Sequence, residues 1–527
     1  MDHLPSSVST HEAAFDINTP WRRPDFWGLI IGPLFLIAWL TIPGLAVTAA
    51  DRLLGIWVLT ILWWITEPIP IPATGILAIA LCFFVGIPQE LQPTGTTTDH
   101  LKMLLVGFSE PTFFFLMGGM YLGLAMMRHG LDRRFALAVL CAPGMANSPA
   151  RVLLAIGTCV AVISMFISNT AATAIVFPIA LQILDLLEQG QGSESAAKHT
   201  ISRSKYGTAV LLMSAYASSV GGVATPIGTT TNVIAMGLFQ QDGYFGRNVN
   251  FLNWMLLGIP VMIVLFALLY LLLWWYGRGL KLDMTDVRHK LREMQSKLGP
   301  WKRGEFNTCL VFAAAMVCWT LPGFVGLINY EAGDRLVKFM PEELIALLIP
   351  VALYLLPIRP GSGQGTLVSD DLSRIDWGAL ILFGTGLTLG SLVRQTKLAD
   401  NWAMSLYTMW PDATEFQLIG LAALAGLLLS ELTSNAAAAN TLIPVVWGFC
   451  KTWNVEPLGP MMALTFAASF GSALPVSTPP NTLVYSSGRI PMRRMIGVGL
   501  LFDVVCWIVV WFSVYVAVKW WDWSPWL

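Results

Sequence analysis

Charged side chains are scarce in these 527 residues: 12% are Asp, Glu, Lys or Arg, against 55% hydrophobic, whereas a soluble domain carries about a quarter charged residues. With a mean hydropathy of +0.64, the chain reads as an integral membrane protein, its lipid bilayer the first partner implied. A basic surface is missing as well, since 31 Lys and Arg stand against 32 Asp and Glu. Nothing is available to neutralise a run of phosphates, which excludes nucleic acid as a partner. The seven cysteines, Cys82, Cys141, Cys159, Cys309, Cys318, Cys450 and Cys506, show no CxxC or Cys/His spacing. That excludes a disulfide framework and a zinc site and leaves them as small core residues. HExxH and GxSxG are absent too, so a membrane-embedded enzyme lacks its machinery. No histidine falls inside an apolar span except His129 at a helix end, which argues against a histidine proton relay. The first 26 residues lack the basic-then-apolar order of a signal peptide and read as a cytoplasmic tail.

Apolar runs are what the chain has in quantity. A helix crossing about 30 Å of hydrocarbon needs about 20 such residues, and candidates begin near Trp27, Leu53, Ala73, Thr112, Tyr206, Trp254, Cys309, Glu343, Trp377, Met461 and Ile496. The expected fold is therefore an all-α polytopic membrane protein of about eleven transmembrane helices. Two further segments, roughly 152–187 and 416–450, are each broken midway by a small polar cluster and read as re-entrant hairpins, a form tolerated where protein or a water-filled cavity covers the backbone. With the N-terminus inside, 22 of the 31 Lys and Arg fall on the cytoplasmic side, as the positive-inside rule asks. This places the C-terminus, WWDWSPWL, outside a cell (inner) membrane.

The two halves repeat each other. Gly118 and Gly384, Arg128 and Arg394, Ser164 and Ser430, Ser168 and Ser434, Asn169 and Asn435, and Pro178 and Pro444 all differ by 266, while PIGTTTN (226–232) matches PVSTPPN (475–481) at an offset of 249. The 17 missing positions fit the polar loop near GQGSESAAKHTISRSK. The span count between Gly118 and Gly384 advances by an odd number, so the second unit sits upside down. Inverted repeats with broken helices are a transporter architecture. The chain divides into a tail (1–26), scaffold helices (27–135), a first hairpin, broken helix and following helix (150–276), a cytoplasmic linker (277–305), scaffold helices of the second half (306–400), and a second hairpin, broken helix and last helix (412–527).

The polar clusters carry the chemistry. In SMFISNTAATAIVFP, Ser164, Ser168 and Asn169 share roughly one helical face. Thr170 then opens a return helix whose free N–H groups and dipole favour an anion. SELTSNAAAANTLIP repeats this with Ser430, Ser434 and Asn435. In each broken helix a small residue (Gly228 or Ser477) precedes a Thr (Thr229 or Thr478), and carbonyls freed there suit a hard cation such as Na⁺. The same residue types are also ordinary packing devices between helices; their recurrence in register across a repeat favours function. No Lys or Arg lies between Arg151 and Lys198, Lys205 and Arg247, Lys397 and Lys451, or Lys451 and Arg489. A bound dianion must then be balanced by cations and helix dipoles, which favours cation-coupled symport over an arginine clamp.

WWITEPIPIPATG, the SNT of the first hairpin, PIGTTTN, TSNA and PVSTPPNTLVYSSG closely resemble the divalent anion/sodium symporter family, which includes bacterial and animal dicarboxylate and citrate carriers. The resemblance implies a homodimer whose scaffolds stay fixed while each transport part moves as an elevator, with Na⁺ as the co-transported ion. It implies one sodium site from Ser164, Ser168, Asn169 and the Gly228 backbone, and a second from Ser430, Thr433, Asn435 and the Ser477 backbone. Substrate carboxylates would meet Ser168, Asn169, Thr170, Thr229, Ser434, Asn435, Thr478 and Pro479. Two departures stand out: Ala436 replaces the hydroxyl of a second SNT, and Thr229–Asn232 replaces a first TPPN, which predicts a less rigid backbone at that break. Coupled symport of di- or tricarboxylates, sodium-independent dicarboxylate exchange, and transport of sulfate or another divalent anion all remain open.

Glu431 and Asp503 are intramembrane carboxylates for which a functional and a packing role both stand. Glu67 reads as part of a scaffold turn. An anion channel is the remaining rival, since an inverted repeat alone permits one.

Overall fold

The computed structural model describes residues 24–189, 204–241, 249–279, 282–359, 361 and 363–520. The expected cytoplasmic tail, the loop near GQGSESAAKHTISRSK and the external C-terminus lie almost wholly outside the described residues.

Among the described residues the regular structure is helical, apart from an isolated antiparallel bridge between Pro357 and Gly365. Eight helices are long and apolar enough to cross a membrane: Pro24–Thr41, Ala49–Thr66, Asn169–Gln189, Phe251–Gly277, Arg303–Ile328, Trp377–Gln395, Glu415–Leu432 and Met492–Lys519. Eleven were expected, and the difference has a physical cause. The span expected near Met461 is only Leu458–Ala467, because the chain unwinds after it, while Pro111–His129 and Lys205–Gly222 are 19 and 18 residues long but carry too many polar and small residues. Ile71–Phe84 and Glu342–Leu355 are 14 residues each. Conversely, Asn169–Gln189 and Glu415–Leu432 are arms of the two hairpins, each as long as a crossing.

Local chemistry fixes where these helices begin. Thr48 and Asp51 form a capping box at the second helix, and Ser148 accepts the Arg151 N–H ahead of Pro149 at the first hairpin. Both are standard ways to satisfy the orphan donors of a helix start. Glu67 takes a left-handed conformation (φ 48°) that ends the second helix, its N–H donating to the Trp63 carbonyl.

In the first hairpin, Pro149–Ser164 and Asn169–Gln189 pack on each other and on Lys205–Gly222; in the second, Glu415–Leu432 and Asn435–Thr452 pack on Leu458–Ala467. The hairpins, the broken helices and the helices that follow them share one large apolar core with Pro111–His129, Arg303–Ile328, Glu342–Leu355 and part of Trp377–Gln395. A separate core joins Leu36, Leu53, Ile56, Leu59 and Trp63 of the first two helices to Cys82, Leu389 and Leu392. The tip of the second hairpin meets this second body in a small cluster of Trp64, Leu382 and Ala437, flanked by Ile71 and Ala436. Asn440 on the return arm donates to the Leu382 carbonyl at 3.2 Å. That approach is so close that any Cβ at Gly386 would overlap the Asn440 amide.

The outer surface is apolar: Leu29, Ile31, Leu34 and Ile37 on the first helix, and Ile263, Leu271 and Trp275 on Phe251–Gly277, are exposed, as a lipid-facing surface requires. Cys309 belongs to such a face rather than to the core, beside exposed Phe306 and Leu310, whereas Cys82, Cys159, Cys450 and Cys506 are buried as expected. Outside the spans, the short helix Leu131–Leu140 buries Asp132, and desolvation pushes its carboxyl up to about 6.

Candidate functional site

At the first hairpin tip the leading arm ends at Ser164 and the return arm starts at Asn169. The Ser164 hydroxyl donates to Asn169 Oδ1 at 2.7 Å. Ser168 Oγ accepts the Ala171 N–H at 3.3 Å and its carbonyl accepts that of Ala172. The first two amides of the helix, those of Asn169 and Thr170, therefore lack an intrahelical acceptor. Ser164 is buried, Asn169 half-buried, and Ser168 and Thr170 exposed.

The second tip repeats the arrangement at the same offset. Ser430 donates to Asn435 Oδ1 at 2.7 Å and also reaches the Ala468 carbonyl at 2.8 Å, while Asn435 Nδ2 donates to the Ser469 carbonyl at 3.1 Å. Ser434 Oγ accepts the Ala437 N–H at 3.2 Å, leaving the amides of Asn435 and Ala436 at the helix start. Replacing Thr by Ala at 436 thus removes a hydroxyl but keeps the backbone donor, and the Ala436 methyl joins the apolar contact with Trp64 and Leu382.

The broken helices supply carbonyls. An interruption inside a helix strands its last C=O groups. Asn232 Nδ2 donates to two of these, Gly222 O (2.9 Å) and Thr225 O (2.8 Å), and Asn481 Nδ2 does the same for Gly471 O (2.7 Å) and Leu474 O (3.1 Å). Sequence reasoning assigned these two asparagines no role, although both seven-residue motifs end on one. Thr229 (φ −146°, ψ 148°) and Thr478 (φ −139°, ψ 147°) share one extended conformation. The TTTN and TPPN breaks therefore open on the same backbone path.

Several predicted residues come together. A Cβ built on Gly222 would lie 2.6 Å from Asn169 Oδ1 and 3.3 Å from the Gly228 carbonyl. Ser164, Asn169 and the Gly228 backbone thus ring one point that only glycine leaves open. On the other side, a Cβ on Gly471 would lie 3.2 Å from both the Ser430 carbonyl and Ser477 Cβ and 3.5 Å from Ser430 Oγ, which groups Ser430, Ser477 and the amide-bonded Asn435. The two breaks also touch, Thr231 Oγ1 lying 2.7 Å from Ser469 Oγ.

Others are placed differently. Thr433 is 7% exposed, and its hydroxyl donates to the Trp64 carbonyl at 3.1 Å. Its extended backbone at the end of the leading arm turns the side chain toward the first-half helices, where its hydroxyl proton is engaged. Thr478 is 3% exposed and accepts the Asn481 N–H at 3.4 Å, acting as a helix cap. Thr229 is half-buried and accepts a bond from Thr231 at 3.3 Å. Pro479 is exposed.

The donor set is uncharged oxygen. Among the described residues no group of three His, Cys, Asp or Glu could hold a metal, and the hydrogen-bond partners given above for Ser164, Asn169, Ser430 and Asn435 are all neutral. Carbonyl, amide and hydroxyl oxygens suit a hard cation. Glu431 and Asp503 have backbone partners: Glu431 accepts the Ala473 (2.8 Å) and Leu474 (3.1 Å) N–H groups and the Ser477 hydroxyl (2.6 Å), and Asp503 accepts the Ser472 N–H (3.1 Å). Both hold the second break in place.

The family described as the sodium:sulfate symporter transmembrane region matches residues 25–527. The chain is similar to the sodium-dependent dicarboxylate transporter SdcS of Staphylococcus saprophyticus, 30% identical over 515 residues that cover 95% of this chain and 93% of that one. It is 29% identical to SdcS of Staphylococcus aureus (strain NCTC 8325 / PS 47) over 513 residues, 94% of this chain and 92% of the other. In fold it is similar to the YdaH transporter of Alcanivorax borkumensis (TM-score 0.53, 14% identity, 80% of this chain and 88% of that one) and to MtrF of Neisseria gonorrhoeae (TM-score 0.51, 12% identity, 92% and 97%). Both hairpins and both breaks fall within the matched span, and on that ground the chain belongs to the sodium:sulfate symporter family, the divalent anion/sodium symporters, and is a multi-pass membrane transporter rather than an enzyme.

Proposed function

We propose that the chain is a secondary active symporter that carries di- or tricarboxylates of the succinate, malate and fumarate class together with sodium. The observation that supports this most directly is the repeated Ser–Asn pair, 2.7 Å apart in each hairpin, set beside stranded carbonyls and a helix N-terminus. One Na⁺ sits among Ser164, Ser168, Asn169 and the Gly228 carbonyl. A second sits among Ser430, Asn435 and the Thr433 and Ser477 backbones. Two monovalent cations cancel the charge of a dianion, and the two return-helix N-termini, each worth roughly half a positive charge, hold its carboxylates against Ser168, Asn169, Thr170, Ser434, Asn435 and the Ala436 amide, with Thr229, Thr478 and Pro479 at the margin. Loading thereby lowers the cost of carrying an anion through the low-dielectric region.

An elevator carries residues 150–276 and 412–527 against the scaffold of 27–135 and 306–400, along the face where Phe115, Val311 and Ala346 pack into the apolar core of the hairpins. The second hairpin tip, meeting Trp64 through Thr433, is then a contact that breaks and reforms. The exposed apolar helices fit a homodimer in the inner membrane with the N-terminus cytoplasmic, the C-terminus external and the two repeats inverted. The names of the relatives favour dicarboxylates, and the family description favours sulfate as a second reading.

An imposed sodium gradient should drive uphill uptake of labelled succinate into proteoliposomes, and competition by malate, citrate, tartrate and sulfate ranks the substrates. Uptake that ignores sodium and requires only internal dicarboxylate would replace symport by exchange. Downhill flux alone would leave a channel.

A further inference from the structure

The two breaks share a backbone but not a chemistry. In the first, the Thr225 hydroxyl donates to the Met165 carbonyl, and Trp254 Nε1 donates to the Val223 carbonyl at 3.1 Å. The residues at the same repeat offsets in the second break are Leu474, Glu431, Asp503 and Ser472. There the Leu474 N–H goes to the Glu431 carboxylate, and the Ser472 N–H to Asp503. Neutral side chains suffice to fold the first break, so the fold does not require two carboxylates behind the second.

Those carboxylates are unequally served. Glu431 receives two N–H groups and one hydroxyl across its two oxygens. Asp503 is 4% exposed, and while Oδ1 takes the Ser472 N–H, Oδ2 has no donor. It adjoins Glu431. Tyr216, stacked on Phe502 and facing both acids, gives its hydroxyl proton to the Ser472 carbonyl at 2.7 Å, and Cys506 lies one turn along the same helix. Among the described residues these are the titratable groups recorded facing Asp503 from its own helix and its neighbours, and none is basic. Arg494, the nearest cationic side chain on that helix, is nine residues away, roughly 13 Å along the axis. A bare carboxylate oxygen against a second carboxylate, shut away from water, needs a countercharge.

We propose that Asp503 Oδ2 is the seat of a third monovalent cation, a proton or Na⁺, taken up together with the substrate. This rests on the sodium-dicarboxylate reading above. The loop that Asp503 and Glu431 grip is the one that brings Gly471 and Ser477 to Ser430, so filling Oδ2 steadies the second cradle. Two cradle cations balance a dianion, and a third makes each transport cycle carry one net positive charge.

The test is succinate uptake into proteoliposomes under a sodium gradient, with a potassium diffusion potential set to zero or inside-negative. Wild-type uptake should rise severalfold with the negative potential. Asp503→Asn, or Asp503→Ser should the amide variant fail to purify as a monodisperse species, should still take up succinate but without response to potential. Labelled Na⁺ counted per succinate, falling by one in the variant, identifies the ion as sodium; an internal pH dye that reports acidification only in the wild type identifies a proton. Uptake that is potential-independent in the wild type, or equally potential-dependent in the variant, overturns this inference alone. No sodium-driven uptake by the wild type overturns the proposed function and this inference with it.

Discussion

A single methyl group at Gly228 tests whether the first cation cradle is where the geometry puts it. A Cβ there would lie 2.5 Å from the Gly222 carbonyl oxygen and 3.0 Å from Gly222 C and Cα, whereas ordinary contact begins near 3.4 Å. Roughly 1 Å has to be absorbed by backbone, and Gly222 O is already held by Asn232 at 2.9 Å. Gly228 has no positive φ, so alanine adds a collision but no dihedral strain. Overpacking of this kind costs about 1–3 kcal/mol. If that falls on the loaded cradle, sodium affinity drops about 5- to 150-fold at 1.4 kcal/mol per decade. The assay is the sodium dependence of succinate uptake by Gly228→Ala. Gly497→Ala is the control, because nothing lies within 4 Å of its added Cβ and alanine is the better helix former. A Gly228→Ala protein whose half-saturating sodium stays within about twofold of wild type, well short of that penalty, would refute the cradle, as would equal impairment by the control.

Three further outcomes are expected. Asn169→Ala and Asn435→Ala should each abolish uptake while size-exclusion profiles stay unchanged, since each amide serves cation and anion at once; normal transport by either would remove it from the site. Thr433→Val keeps the shape and the backbone carbonyl but removes the donor to Trp64 O, so it should lower thermal stability by about 1–3 kcal/mol and leave sodium dependence intact. Loss of sodium dependence there would restore the hydroxyl as a ligand. Asp132→Asn should stabilise the protein at pH 7.5 by about 3 kcal/mol, because the folded-state value of about 6 lies above the ordinary 3.8. The penalty on the wild type accumulates as pH rises from about 4 to 6 and is absent below, so melting curves of the two proteins should converge near pH 4, and a gap that persists there would show a different cause.

Hairpins and breaks were legible in the sequence because a polar cluster inside an apolar run is expensive unless something answers it, and because the clusters recur at fixed offsets. Span counting was less successful, since hydropathy reports how a segment tolerates lipid and not where its helix stops: Leu458–Ala467 ends at an interruption, and the arm Asn169–Gln189 is more apolar than the crossings Ala49–Thr66 and Trp377–Gln395. Side-chain direction was not legible at all. Thr433 sits one residue from Ser434, yet an extended residue at the helix end sends its hydroxyl to Trp64, 369 positions away in the chain. Glu431 and Asp503 were ambiguous for the same reason, as their backbone partners are 31 to 43 residues distant.

The comparison of the two breaks also says what sets their conformation. Pro479 and Pro480 follow Thr478, whereas Thr230 and Thr231 follow Thr229, yet φ and ψ of the two leading threonines agree within 10°. Proline therefore is not the cause, though its fixed φ is compatible with the result. What the breaks do share is an asparagine that bridges two stranded carbonyls, Gly222 with Thr225 and Gly471 with Leu474, and a tie from the break to the adjoining hairpin tip, through Met165 in one half and Glu431 in the other. Buried carbonyls without partners are among the costliest defects a membrane interior can hold. A side chain that satisfies two of them fixes the local path whatever residues follow. Once that path is fixed, the tie to the hairpin can change from hydroxyl to carboxylate, which is how one half of a repeat came to hold acidic groups where the other has none.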